Sequence, residues 1–185
     1  MIRSAVLAAA ALALLSPAAC VQNRTLGQGL DDVGADINIK QQLLRDRTID
    51  TSDVDVAIFE GRMLLAGTVP TQADKTALYD KAKAIASVRE VLDEVRVGPK
   101  TTVRQGAADA LIDEKLGAAL FTDNGVFRSN YSLVVSQGTV YILGIAQGPN
   151  ELSRVTQQAS AVSGVRDVVS HVVFVGDPRR SAIKG

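Results

Sequence analysis

The chain is 185 residues long and 46% hydrophobic, with 20 Lys plus Arg against 20 Asp plus Glu. Zero formal net charge argues against a nucleic-acid binder that works through bulk positive charge, and 22% charged residues in so apolar a chain describe a folded protein rather than a disordered one. One Cys and one His exclude an intramolecular disulfide and most metal centres.

The first residues read as an address. Arg3 precedes Ala5 to Leu15, eleven uncharged apolar residues. That run is too short to span a bilayer, which takes about 20. Small residues follow at Ser16, Ala18 and Ala19, so residues 1–19 read as a secretory signal peptide. The lone cysteine, Cys20, stands directly after them. This placement resembles the lipobox of bacterial lipoproteins, with Pro17 where an aliphatic residue is usual. The resemblance implies a lipidated Cys20, and Val21 behind it implies sorting to the outer membrane. Ordinary cleavage after Ala18 is the alternative and leaves a free thiol. Residues 20–35, with Gly27, Gly29 and Gly34, read as the lipidated N-terminus and a tether.

The body repeats. Shifted by 77 residues, the sequence matches itself without a gap from Glu60 to Val97: Gly61 meets Gly138, Gly67 meets Gly144, and Val88-Arg89 meets Val165-Arg166. Upstream the shift is 73, pairing Asp36 with Asp109, Ile39 with Ile112 and Leu43 with Leu116, so the second copy carries a four-residue insertion.

Each copy predicts the same elements. An amphipathic helix comes first, carried by Ile39, Leu43 and Leu44, or by Leu111, Ile112, Leu116 and Leu120. An alternating strand follows, Val54 to Ile58 or Tyr131 to Val135. Glu60-Gly61 and Gln137-Gly138 are two-residue hairpin turns in which glycine supplies a positive φ. The second strand runs from Arg62 to Val69, or from Thr139 to Ala146. The second helix, begun near Thr71 or Pro149, buries Leu78, Ala82 and Ile85, or Val155, Ala159 and Val162. A last strand covers Val91 to Val97, or Val168 to Val175. The fold class is therefore α+β: two tandem small domains, each αββαβ, with a three-stranded mixed sheet packed against two helices. Their bounds are 36–98 and 107–176, joined by a linker at 99–106 short enough to keep them adjacent. Residues 177–185, with Arg179, Arg180 and Lys184, form a basic C-terminal tail read as disordered.

The pattern Gln137-Gly138-Thr139-Val140-Tyr141-Ile142-Leu143-Gly144 followed by Ser163-Gly164-Val165-Arg166-Asp167-Val168, and its counterpart around Glu60 to Gly67 and Ser87 to Val91, resembles the BON (bacterial OsmY and nodulation) domain. The resemblance covers nearly all of residues 36–176. Two such domains behind a lipobox resemble dual-BON outer-membrane lipoproteins of the DolP type; soluble periplasmic OsmY-type proteins share the repeats without the cysteine.

Enzyme chemistry needs a nucleophile with a base, or clustered metal ligands. Neither is visible, so no enzymatic activity, no cofactor and no metal site is expected. His171 aligns with Glu94 and reads as an outward strand position. Arg89 and Arg166, at matching positions, read as solvated loop residues. The resemblance implies contact with phospholipid membrane, with attraction to anionic lipid, through the first helix of the second domain and its adjoining loop. There the candidate lipid-binding residues are Lys115, Phe121, Phe127 and Arg128. Asp109, Asp113 and Glu114 on the same helix weaken that inference, and the same aromatics also fit a core role, Phe121 closing the helix and Phe127 packing under the sheet. Three readings follow: an outer-membrane lipoprotein that supports envelope integrity or stress tolerance, a periplasmic chaperone or adaptor, and a docking module for an envelope protein partner.

Overall fold

A computed structural model describes residues 48–181 together with Ile39, Gln41 and Leu43. Cys20, the signal peptide, the tether and residues 182–185 lie outside the described residues. So does most of the leading helix of the first domain, of which Ile39, Gln41 and Leu43 are helical.

The first domain contains β1 (Val54–Phe59), β2 (Arg62–Val69), α1 (Gln72–Lys83) and β3 (Glu90–Val97). The second contains α2 (Val103–Thr122), a 3-10 turn (Arg128–Asn130), β4 (Tyr131–Ser136), β5 (Thr139–Ala146), α3 (Pro149–Ala161) and β6 (Asp167–Phe174); a short helix, α4 (Pro178–Ser181), follows. Each sheet is mixed. β2 lies between β1, antiparallel to it, and β3, parallel to it, and β5 lies in the same way between β4 and β6.

The hairpin turns form as their sequence demands. Glu60 and Gly61 have φ of 48° and 71°, and Gln137 and Gly138 have 50° and 76°, so both central residues are left-handed and the turn twist matches the strands. Gly67 and Gly144 serve a different need from the turn glycines. A Cβ there would collide with the backbone carbonyl of Asp53 or Asn130, where the partner strand begins. The glycines admit backbone against backbone. Arg89 and Arg166 hold those turns: each donates its amide, at 2.8 Å, to the carbonyl of Gly61 or Gly138. The side chain of Arg89 also donates to the Glu60 carbonyl.

Every residue of β2 and β5 is buried. Period two explains how. Met63 and Leu65 face the helices with Leu78 and Ala82, as Val140 and Ile142 face Leu116, Val155 and Ala159. The alternate residues Leu64 and Ala66 face the other domain, where Tyr141, Leu143 and Ile145 meet them, with Ala57, Phe59, Val134 and Val173 completing one core between the sheets. A strand covered on both faces reads as a continuous apolar run, which β2 and β5 do.

The two domains therefore pack sheet on sheet, with helices outside. The contact is nearly symmetric under the 77-residue shift: Ala57 and Val134, Leu64 and Tyr141, Ala66 and Leu143, and Leu92 and Val169 are equivalent pairs that all lie in it. Glu94 and His171, another such pair, bond to each other, Nε2 to Oε1, at 2.8 Å. His171 thus points away from its own helices, as an outward strand position must, but into the other domain rather than into solvent. Arg62 donates to the His171 carbonyl at 2.7 Å and to Glu90 at 2.5 Å.

Two further differences from the sequence reading concern segments. α2 begins at Val103, inside the stretch read as linker, because Thr102 caps it by accepting the Gln105 amide at 3.2 Å. The first residues of the C-terminal tail are ordered, against the expectation of disorder: Arg180 grips both carboxylate oxygens of Glu60 in the first domain, at 3.0 and 3.1 Å, and Arg179 pairs with Asp177 at 2.6 Å.

Candidate functional site

The candidate surface is built on α2 and the loop behind it. One side of α2 packs into the domain through Ile112, Leu116 and Leu120. Asp109 belongs to that side. It is 6% exposed, and its carboxylate accepts the amides of Gln137 and Gly138, both at 2.8 Å, and the side chain of Gln105 at 3.0 Å. It caps the hairpin turn, so its charge is a structural one facing inward, a role that helical spacing alone does not reveal.

The opposite side of α2 is bare. Val103 is 92% exposed, Leu111 50% and Phe121 81%. Ala107, Ala110, Glu114 and Ala118 are also exposed and, by helical spacing, fall between them. Leu111, expected in the core, is displaced from it because it lies about 100° around the helix from Ile112. Of the four candidate lipid-binding residues, Lys115 is exposed on the flank of this face and Phe121 stands at its end, so Phe121 does not close the helix core.

Phe127 and Arg128 sit in the loop after α2, and that loop is pinned at both ends. Asp123 accepts the Gly125 amide at 2.8 Å and bonds Gln158 and Arg154 of α3 at 3.2 and 3.4 Å. The Gly125 amide, first among these partners, holds the Asp123 carboxyl below its ordinary range. Glu151, 6% exposed, accepts the amides of Phe127 at 2.8 Å and Gln147 at 2.7 Å. Burial, with Glu151 beside it, pushes the Tyr131 phenol above its usual range. The loop so fixed leaves Phe127 39% exposed, while Arg128 is half-buried and donates to the Tyr131 carbonyl at 2.6 Å. The structure thus places Lys115 and Phe121 on one helix, holds Phe127 on the adjacent loop, and turns Arg128 inward. Sequence reasoning missed Val103, which fell in the presumed linker, and misassigned Leu111. Their spacing with Phe121 along one helix face was the signal available.

Beside the first half of α2 runs a groove of about 340 Å³ between the domains, lined by Asp53 and Asp55 of the first domain and by Asp109 and Asp113 of α2. Asp53 accepts the amide and hydroxyl of Thr101, each at 2.9 Å, and so ties the linker down. Among the described residues, no group of three or more His, Cys, Asp and Glu could hold a metal ion, and no helix is long and apolar enough to cross a membrane.

Two paired sheets carrying duplicated αββαβ units define a tandem α+β module in which α2 presents a bare face. Residues 31–99 and 108–176 each match the BON domain, and the chain belongs to that family. It is 32% identical over 144 residues to an uncharacterized protein in the gshII 5′ region of Anaplasma centrale, spanning 77% of this chain and 94% of that one. It is 28% identical over 148 residues to the outer membrane lipoprotein DolP of Haemophilus influenzae, across 79% of this chain and 76% of that one. It is 26% identical over 145 residues to the osmotically-inducible protein Y of Escherichia coli, across 77% and 72%.

Proposed function

We propose that this chain is a non-enzymatic lipoprotein of the outer membrane, anchored at Cys20 on the periplasmic side. In this reading it contacts phospholipid membrane through the second BON domain and supports envelope integrity or stress tolerance. The observation that carries the reading is the bare face of α2, with Val103, Leu111 and Phe121 standing in solvent. Isolated exposed apolar residues are ordinary, but a line of them along a single helix suits an interface. The sheets support the assignment by elimination, since each has its free face sealed by the other. One amide is also taken on each of the edge strands β3 and β6: Asp93 accepts the Val95 amide at 3.1 Å, and the equivalent Ser170 accepts the Val172 amide at 3.4 Å. The names of the relatives, an outer membrane lipoprotein and an osmotically inducible protein, agree with an envelope role.

The test is flotation of residues 21–185, which retain every described element, with vesicles of bacterial total lipid. The wild type is expected to float and Phe121→Asp to stay in solution. A wild type that does not float, or a variant that floats equally well, overturns the reading. Incorporation of labelled palmitate, lost in Cys20→Ala, checks the anchor separately.

A further inference from the structure

We infer that the α2 face inserts into packing defects of a neutral lipid surface and is not drawn to anionic headgroups. This rests on the membrane reading above and specifies its chemistry. The charges around the face decide it. On α2, Arg104 and Lys115 are matched by Asp113 and Glu114. The wall of the adjoining groove adds the carboxylate of Asp53, which accepts the Thr101 amide and hydroxyl. Among the described residues, Arg128 donates to the Tyr131 carbonyl, Arg154 pairs with Asp123, and Arg179 and Arg180 of the tail pair with Asp177 and Glu60. A surface without net positive charge gains nothing from an anionic membrane, and its carboxylates are repelled by one.

What remains is apolar. Val103 and Phe121 are separated by eighteen helical steps, about 27 Å at the usual rise. Leu111 stands between them, and the intervening exposed positions are mostly alanine. Three bulky anchors spaced widely along a helix, with small residues between, match scattered gaps between headgroups better than the continuous groove of a protein partner. Helices of this kind bind according to curvature and acyl packing.

The experiment uses residues 21–185 with dioleoyl phosphatidylcholine vesicles, small and highly curved or large and flat, with and without phosphatidylglycerol, at low and high salt. Binding to small neutral vesicles is expected, changed by less than about twofold by salt or by phosphatidylglycerol, because little charge is being neutralised. Large flat vesicles should bind more weakly. Phe121→Asp and Leu111→Ser should each cost about tenfold or more, the loss of one inserted side chain, and Lys115→Glu should cost little. Both apolar positions are exposed, so the variants should keep their fold, which circular dichroism checks. Binding that requires phosphatidylglycerol and disappears in salt or in Lys115→Glu overturns this inference and leaves the membrane reading standing. Equal binding to small and large vesicles overturns defect insertion. Salt-insensitive binding that Phe121→Asp leaves intact removes α2 as the site. No binding to any vesicle overturns both readings and favours a protein partner.

Discussion

The inter-sheet core makes a prediction about cooperativity that can be worked from a single side chain. Leu143 is fully buried, and it sits not in the second domain's own core but in the cluster shared with Ala57, Phe59, Leu64 and Ala66 of the first. Leu143→Ala removes the packing of a buried Leu and leaves a cavity in a place where two rigid sheets resist collapse; such changes cost about 2–5 kcal/mol, and about 3 kcal/mol is a reasonable value here. If the shared core joins the domains into one unfolding unit, this loss is felt equally on both sides. Slowly exchanging amides of β2, in the domain that carries no substitution, should then lose protection by about two decades, together with those of β5. Hydrogen exchange read by mass spectrometry resolves the two strands, and urea unfolding followed by far-ultraviolet circular dichroism should keep a single transition. Leu116→Ala, in the second domain's helix-facing core, should do the same through the same coupling. Unchanged protection in β2 beside lost protection in β5 would refute the reasoning, because it would mean that the first domain stands without its partner's face.

Asp109→Ala strips two amides of the Gln137-Gly138 turn of their acceptor and should cost about 2 kcal/mol in urea unfolding, with Asp109→Asn losing less because one acceptor remains; equal loss in the two would contradict the capping role. Gly144→Ala drives a Cβ into the Asn130 carbonyl, a backbone atom that cannot step aside, and should cost about 3 kcal/mol by the same assay. Arg180 and Glu60 are partly buried and bonded through both carboxylate oxygens, so a double-mutant cycle with Arg180→Ala and Glu60→Ala should give a coupling of about 1 kcal/mol, and additive losses would dismiss the clamp. The phenols of Tyr131 and Tyr141 are both raised, first by burial. A raised folded-state pKa stabilises below the unfolded value, about 10 for Tyr, and that contribution is lost as pH rises beyond it. Unfolding free energy should therefore fall above about pH 10, with these two phenols absorbing at 295 nm only as the chain unfolds; full ionisation of all three tyrosines with the fold intact would contradict it.

Much of the fold is legible because it is local and periodic. The turns at Glu60-Gly61 and Gln137-Gly138 carry their conformation in two residues, and the starts of β2 and β5 follow from those turns. The repeat fixes the domain count. What the sequence does not display is the second face of each central strand. Leu64, Ala66, Tyr141 and Leu143 are apolar in a run that a helix on one side and a sheet on the other both require, and period two alone does not say what covers the far side. The same ambiguity hid the place of His171, since an outward-pointing residue is either solvated or paired, and only the docking of Glu94 against it decides. Asp109 and Glu151 were illegible for another reason: each acts on backbone amides brought close by the fold, and amides leave no trace in a residue pattern.

The candidate surface is harder to read than the fold because its chemistry lies in balance and geometry rather than in a motif. Lys115, Phe121, Phe127 and Arg128 are the residues that a lipid-binding expectation selects from a sequence, cations beside aromatics. The structure divides them. Arg128 is spent on a main-chain carbonyl and Lys115 is offset by Asp113 and Glu114, while Phe121 is joined on its helix by Val103 and Leu111, which no charge-based search would choose. The duplicated fold explains why such a surface is available at all. Each domain offers one sheet face and one helix face; pairing the sheets seals the larger apolar area inside the chain and leaves helices, loops and sheet edges for any partner. α2 can carry it without loss of stability, because its inward side, with Asp109, Ile112, Leu116 and Leu120, already supplies the packing and the turn cap that the domain needs.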